Sequence, residues 1–245
     1  MKALILAGGK GRRLMPYTTI IPKPLMPIGN KAILEIIVQQ LKYHGFDDII
    51  LSIGYLGELM MAFFNNGNKY GVKIDYVKED EPLGTAGPLS LVNDQINGPF
   101  LMMNGDILTD LNYSELIDYH KRKKGILTVA LNKRKVNIEF GVTQVDESNR
   151  IINYIEKPTF NNMVSMGIYV FEKRILDYIE PNQYLDFPDL VKKLIENDEI
   201  VNGYPFEGYW LDIGRHDDYE KANQEVDKIY DQLFKFRKKI EVNEF

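Results

Sequence analysis

Four features in a row open this chain and leave few folds available to it. An apolar run at residues 3–6 leads into a glycine-rich loop, a helical pattern covers about 32–44, and a second apolar run occupies 49–53. Strand, helix, strand at this spacing is the start of a βαβ unit, whose strands lie parallel and whose helix covers one face of their sheet. Further strands are expected at 74–77 and 100–104, with helical stretches at 58–65, 88–93 and 113–122. The first half therefore reads as parallel α/β. After Gly125 the texture changes: residues 127–131, 141–145, 151–155 and 165–171 are strand-like with short turns between them, which predicts a small mixed or antiparallel insertion on the parallel core. A helix at 187–197, a strand at 210–212 and a helix from 216 to about 232 complete the pattern.

Composition narrows the class. Hydrophobic residues make up 44% and charged residues 27%, which places the chain among globular proteins that bury a core. The formal charge of -5 argues against a general nucleic-acid binder, because displacing counterions from phosphate needs a surplus of Lys and Arg. Any phosphate chemistry must rest on cations placed locally. With no cysteine and three histidines, thiol and zinc chemistry are not expected. No apolar run reaches membrane-spanning length and no leader pattern precedes the first strand, so a cytoplasmic protein without a membrane partner is expected. No internal repeat or linker divides the 245 residues, which read as one domain.

The loop "GGKGRRLMPYT", residues 8–18, invites a phosphate reading, since glycines after a strand let backbone N–H groups approach an anion. A Walker loop does not fit, because Leu4 stands where its first glycine belongs and Gly11 where its Ser or Thr belongs. A dinucleotide fingerprint fits poorly: its third glycine falls on Leu14, Pro16 interrupts the helix, and the second strand ends in Ser52, Ile53 and Gly54 without an acidic residue for a ribose. A strained turn with solvated cations is the plain alternative. "PKPLMPI" follows at 22–28, where two prolines stiffen the backbone around Lys23. With Arg13 it makes a pair of charges suited to a triphosphate. Asp106, after an apolar strand and a glycine, sits where the carboxyl end of a parallel strand binds ligands, although an aspartate there is equally a turn former. Asp212 in "WLDIG" repeats that local design.

These motifs resemble the sugar nucleotidyltransferases, which join a nucleoside triphosphate to a sugar 1-phosphate. Their signature Gly-Gly-x-Gly-x-Arg-Leu-x-Pro-x-Thr, then Pro-Lys-Pro, is matched here, with "PLGTAGPL" (82–89), "NGDI" (104–107), "FGV" (140–142), "EKP" (156–158), "MGIYVF" (166–171) and "WLDIGRHDDYEKA" (210–222) in the same order. Arg12 departs from the Thr or Glu more usual beside the key arginine. The resemblance implies a Rossmann-like three-layer αβα fold with a mixed central sheet, the nucleotide bound by residues 1–125, the sugar phosphate by 126–222, and a helical tail over 223–245.

It also implies roles. Arg13 and Lys23 are the expected catalytic cations, and Asp106 and Asp212 the ligands of a Mg²⁺ ion. Leu6, Ala7, Gly8, Gly9, Gly11, Asn104 and Gly105 are expected at the nucleotide, with Gly84, Thr85, Ala86 and Gly87 against the base; Thr85 is also a candidate N-cap of the helical stretch behind it. Glu156 and Lys157 are expected to hold the sugar and its phosphate, with Gly141 and Gly167 allowing close approach, though Glu–Lys neighbours are also ordinary solvated residues. Trp210 is read as core or as a wall beside Asp212, and the basic runs at 121–124 and 235–239 as solvated faces.

"GTAGPL" after "EDEP" is most similar to mannose-1-phosphate guanylyltransferases, which favours GTP. UTP or dTTP with glucose 1-phosphate, and a heptose or amino sugar 1-phosphate as guanylyl acceptor, remain open. A phosphocholine cytidylyltransferase is disfavoured by "EKP", and a non-catalytic nucleotide-sugar sensor by the presence of Lys23 and both carboxylates. No hexapeptide β-helix pattern is present, so a second activity is not expected, while a homo-oligomer, dimer or larger, is.

Overall fold

The computed structural model describes residues 1–234. The first half contains β1 (Lys2–Ala7), the short pair β2 (Pro27–Ile28) and β3 (Lys31–Ala32), α1 (Ile33–Tyr43), β4 (Asp48–Ile53), α2 (Gly57–Phe64), β5 (Lys73–Lys78), β6 (Phe100–Asn104), β7 (Ile107–Thr109) and α3 (Tyr113–Lys123). The second contains β8 (Leu127–Asn137), β9 (Val142–Val145), β10 (Ile151–Ile155), β11 (Thr159–Phe171), α4 (Phe187–Glu196), β12 (Val201–Phe206), β13 (Trp210–Asp212), α5 (His216–Gln224) and α6 (Val226–Leu233).

Seven strands form the central sheet in the order β12-β8-β11-β6-β1-β4-β5. β4 and β6 flank β1 in parallel, and β5 continues the parallel set beside β4. β11 runs against both of its neighbours, which makes the sheet mixed, and β12 lies parallel to β8 at the far edge. Side chains alternate across a strand, so each strand feeds two cores. Ala3, Ile5 and Ala7 of β1 join Ile49, Leu51 and Ile53 of β4 under α1, α2, α3, α5 and α6, whereas Leu4 and Ile50 meet α4 and the 3₁₀ helices Gly87–Gln95 and Lys173–Tyr178. The result is an αβα sandwich. Leu34, Ile37, Val38 and Leu41 of α1, at i, i+3, i+4 and i+7, are all buried, as one face of an amphipathic helix requires.

The structure departs from the sequence expectations in definable places. The stretch at 88–93 is a 3₁₀ helix, and the helix expected over 216–232 breaks at Glu225 into α5 and α6. The strands expected at 127–131 and 165–171 are longer: residues 132–137 and 159–164 pair as an antiparallel ribbon running out of the sheet, with the β9–β10 hairpin carried beyond it. β12 was not anticipated because Gly203 and Pro205 interrupt its sequence; an edge strand tolerates both. The tail from residue 235, with its basic run, lies outside the described residues. No helix among the described residues is long and apolar enough to cross a membrane.

Candidate active site

β1, β4 and β6 end at the same edge of the sheet, and because β4 and β6 lie on opposite sides of β1, the chain leaves β1 at a switch point where such sheets open a crevice. A cleft of about 930 Å³ opens there, within the size range of small-molecule sites. Its floor is residues 6–14, and Lys23, Asn104, Gly105, Asp106 and Gly214 line it further in.

The glycine loop is held from behind. Tyr55 N donates to Gly8 O at 3.2 Å, Gly105 N to Leu6 O at 2.9 Å, and Thr18 Oγ1 to Gly11 O at 2.9 Å. The amides of Gly9, Lys10 and Gly11 have no backbone partner among the described residues, so this stretch offers donors to an anion. A Cβ on Gly8 would sit 2.7 Å from Glu79 Oε1 and 3.3 Å from Gly54 N, so a side chain there would have to displace the Glu79 carboxylate.

Lys23 projects from a short turn, Lys23–Leu25, bracketed by Pro22 and Pro24, and its ammonium forms an ion pair with Asp106 Oδ2. Both side chains are largely buried, and Asp106 Oδ1 is buried with no partner. Asp212 reaches the same place through β13, which pairs with β7 so that Asp212 stands opposite Ile107, and Ile213 N donates to Asp106 O at 3.1 Å. Burial, and then the negative charge of Asp106, push the Asp212 carboxyl above the usual carboxylate range, against the pull of Lys23 and Arg13. Arg13 lines the cleft, and its Nη1 lies 3.7 Å from where a Cβ on Gly214 would sit. Two carboxylates and two cations thus share one corner, one oxygen still unanswered. Two hard oxygen donors with an orphaned lone pair between cations fit a divalent ion completed by phosphate oxygens and water. Among the described residues no third His, Cys, Asp or Glu completes a protein-only metal cluster.

The opposite wall is built from 78–82, Gly84, Thr85, Tyr184 and Asp186. Thr85 does not cap the helix behind it, whose N-cap is Ala86 without a side-chain bond. Its hydroxyl instead accepts from Phe187 N at 2.8 Å, capping α4 from across the sequence, and donates to Asp186 Oδ1 at 3.1 Å. Ala86 and Gly87 are buried behind this wall rather than lining it. Gly167 packs against Asn104, while Gly141, Glu156 and Lys157 lie outside the cleft on the hairpin, where Tyr154 OH donates to Glu156 Oε2 at 3.0 Å. Trp210 is half-buried against the core, donating Nε1–H to Met166 O at 3.2 Å beneath the Arg134 guanidinium.

Among the lining residues without a role assigned from sequence, Glu79 and Asp186 bring carboxylates into the wall. Glu79 follows β5 at the sheet's carboxyl edge, as Asp106 follows β6, and that shared position was the available signal. Ser52 Oγ, at 2.8 Å, and Leu83 N, at 3.1 Å, donate to its two oxygens. Asp186 had no local signal, since its partner Thr85 is distant in sequence.

The mannose-1-phosphate guanyltransferase of Schizosaccharomyces pombe is 35% identical over 227 residues, covering 89% of this chain and 62% of the relative. The UTP–glucose-1-phosphate uridylyltransferase of Synechocystis is 33% identical over 241 residues, covering 91% and 62%. The chain therefore spans about 62% of the length of these curated relatives. Among solved structures, HddC from Yersinia pseudotuberculosis complexed with GMP-PN superposes with a TM-score of 0.72 at 26% identity, covering 92% of this chain and 99% of that one. The model of the nucleotidyl transferase family matches residues 2–229, and with the cleft at the switch point and the αβα sandwich around it, the chain belongs to that family.

Proposed function

We propose that the chain joins a nucleoside triphosphate to a sugar 1-phosphate, releasing pyrophosphate, with GTP and mannose 1-phosphate as the favoured pair. The observation that carries this reading is the buried Lys23–Asp106 pair, set against Arg13, Asp212 and the donor-rich loop at the end of β1. That corner suits a polyphosphate. In the reaction an oxygen of the sugar phosphate bonds to the α-phosphorus as the α–β bridging bond breaks, and the electron pair leaves with pyrophosphate. A phosphate monoester loses its second proton at about pH 6, so the nucleophile arrives ionised and no general base is required. No histidine is among the described residues lining the cleft, in keeping with that economy.

The protein's task is then to hold two polyanions together. Arg13 and the loop amides bind the β- and γ-phosphates, and Lys23 stabilises charge on the α-phosphoryl group as it transfers. Mg²⁺, held by Asp106 and Asp212, supplies Lewis-acid neutralisation of the phosphates when bound. Residues 1–125 carry the nucleotide half, and the sugar-phosphate half falls to Gly167, which packs against Asn104, and to Gly141, Glu156 and Lys157 on the hairpin outside the cleft, which meet a sugar phosphate that extends beyond it. The preference for GTP is supported by the names of the guanyl-transferring relatives and by Glu79: an acceptor-only carboxylate in the wall complements the adjacent N1–H and N2–H donors of guanine and repels the carbonyl oxygens of uracil and thymine. The reverse reaction tests the reading. Labelled pyrophosphate incubated with GDP-mannose, Mg²⁺ and the protein is expected to appear in GTP; a GTP pool that stays unlabelled, with other nucleotide sugars equally inert, contradicts it.

A further inference from the structure

Among the described residues lining the cleft, two are aromatic, Tyr55 and Tyr184. The Tyr55 hydroxyl donates to Thr19 O at 3.1 Å and its amide to Gly8 O at 3.2 Å, which ties it to the rear of the glycine loop. Tyr184 stands 65% exposed on the opposite wall. Its hydroxyl is already engaged, donating to Asp186 Oδ2 at 2.6 Å, and that bond to a carboxylate raises the phenol pKa, so the group stays a donor at neutral pH. What the residue has left to offer a ligand is the face of its ring. That ring is fastened to the wall that carries Glu79. Leu185 N donates to Leu83 O at 2.9 Å, and Leu185 O accepts from Ala86 N at 2.8 Å and from Gly87 N at 3.0 Å. Leu83 N in turn donates to Glu79 Oε2 at 3.1 Å. Leu185 turns inward against the core, which leaves Tyr184 and Asp186 on the cleft side. Asp186 Oδ1 accepts from Thr85 N and from Thr85 Oγ1, each at 3.1 Å, so one carboxylate joins the tyrosine to the wall at 82–87.

We propose that Tyr184 is a base-stacking residue of the nucleotide site, its ring covering one face of the base whose edge meets Glu79. The assignment rests on the nucleotide reading proposed above. A base presents a polar edge and two apolar faces, and a carboxylate can answer only the edge. An aromatic ring answers a face, and it does so for every base, because each has a π face. The two residues therefore divide the work: Glu79 discriminates among bases, and Tyr184 holds whichever base is bound. A ring already fixed by Asp186 gives up little rotamer freedom when the base arrives.

Calorimetric titration with GTP, and with inorganic tripolyphosphate as a probe that has no base, tests it on the full chain with Mg²⁺ present. Tyr184→Leu is expected to weaken GTP binding about 10-fold and to leave tripolyphosphate binding unchanged, with KM for GTP rising and kcat held. Tyr184→Phe keeps the ring without its tether and should stay within about threefold of the wild type. UTP should lose affinity in Tyr184→Leu by a factor of the same order, which separates stacking from the edge reading of Glu79. Tyr184→Trp places a fluorophore there that GTP quenches and tripolyphosphate does not, since the chain's single tryptophan, Trp210, is not among the residues lining the cleft. Equal GTP affinity in the wild type and Tyr184→Leu overturns the assignment while leaving the reaction intact. So does a Phe variant as weak as the Leu one, or an equal loss for GTP and tripolyphosphate. A ring-dependent GTP affinity in a protein that transfers no nucleotidyl group supports stacking and contradicts the reaction, whereas a wild type that binds no GTP overturns both.

Discussion

Lys23 and Asp106 illustrate how much chemistry rests on single side chains here. Replacing either by Ala removes a charge from the corner proposed to neutralise phosphate, and turnover is expected to fall on the order of 10²–10³-fold with the far-UV spectrum unchanged. Asp212 gives a prediction of opposite sign for stability. Burial and Asp106 raise its carboxyl above the unfolded value, so the contribution of this one group to stability is fullest at low pH and is lost as pH rises through the folded value. At neutral pH the ionised group is a cost. Asp212→Asn should therefore raise the melting temperature by about 2–4 °C, the response of a chain this size to about 1 kcal/mol, while abolishing turnover; a melting temperature that falls contradicts the assignment. Glu79→Gln should lower the GTP-to-UTP ratio of kcat/KM about tenfold, the effect of one polar contact of about 1.4 kcal/mol, and an unchanged ratio removes Glu79 from base selection. Asp106 and Asp212 were legible because each follows an apolar run and precedes or follows a glycine. Glu79 shares the position of Asp106 after a strand but lacks the neighbouring glycine that marked it, and Asp186 has no local signal because Thr85, which fixes it, is distant in sequence.

At the scale of elements, α3 is fastened to the sheet by a buried histidine. His120 Nδ1 bonds Thr128 Oγ1 on β8 at 2.8 Å, and Nε2 lies 3.3 Å from Glu172 Oε1. Burial lowers the His120 pKa despite the raising effect of Glu172, so the imidazole is neutral in the fold and gains a proton more readily when unfolded. Stability should then fall on acidification from about pH 7 to 5. His120→Gln should flatten this dependence in melting curves, and an equally steep curve would show that other groups cause it. The wall at 82–87 depends on Gly84, whose φ of +81° and whose absent Cβ, 2.6 Å from Leu185 O, exclude other residues. Gly84→Ala should lower the melting temperature by several degrees, as backbone strain of about 1–3 kcal/mol would. α1, with one buried face, was readable from its periodicity, and β4, buried on both faces, from its continuous apolar run. The ribbon was not, since residues 132–137 and 159–164 expose both faces and so lack alternation. The break between α5 and α6 was hidden because amphipathic spacing runs through Glu225.

For the whole molecule, the αβα sandwich exists to bring the ends of β1, β4, β6 and β7–β13 to one edge, where residues distant in sequence meet over a single cleft. That convergence was foreshadowed by the order of motifs, whereas the position of the hairpin away from the cleft was not, because no local pattern fixes how a ribbon leaves its sheet. The most direct test is pyrophosphate release with Mg²⁺ over a grid of GTP, UTP, dTTP, CTP and ATP against the 1-phosphates of mannose, glucose, N-acetylglucosamine and heptose. The account predicts strong release in one column, GTP, with mannose 1-phosphate the leading acceptor, and its loss in the Lys23→Ala protein. A grid blank throughout, from a protein that still binds nucleotide by thermal shift, would contradict nucleotidyl transfer as its function.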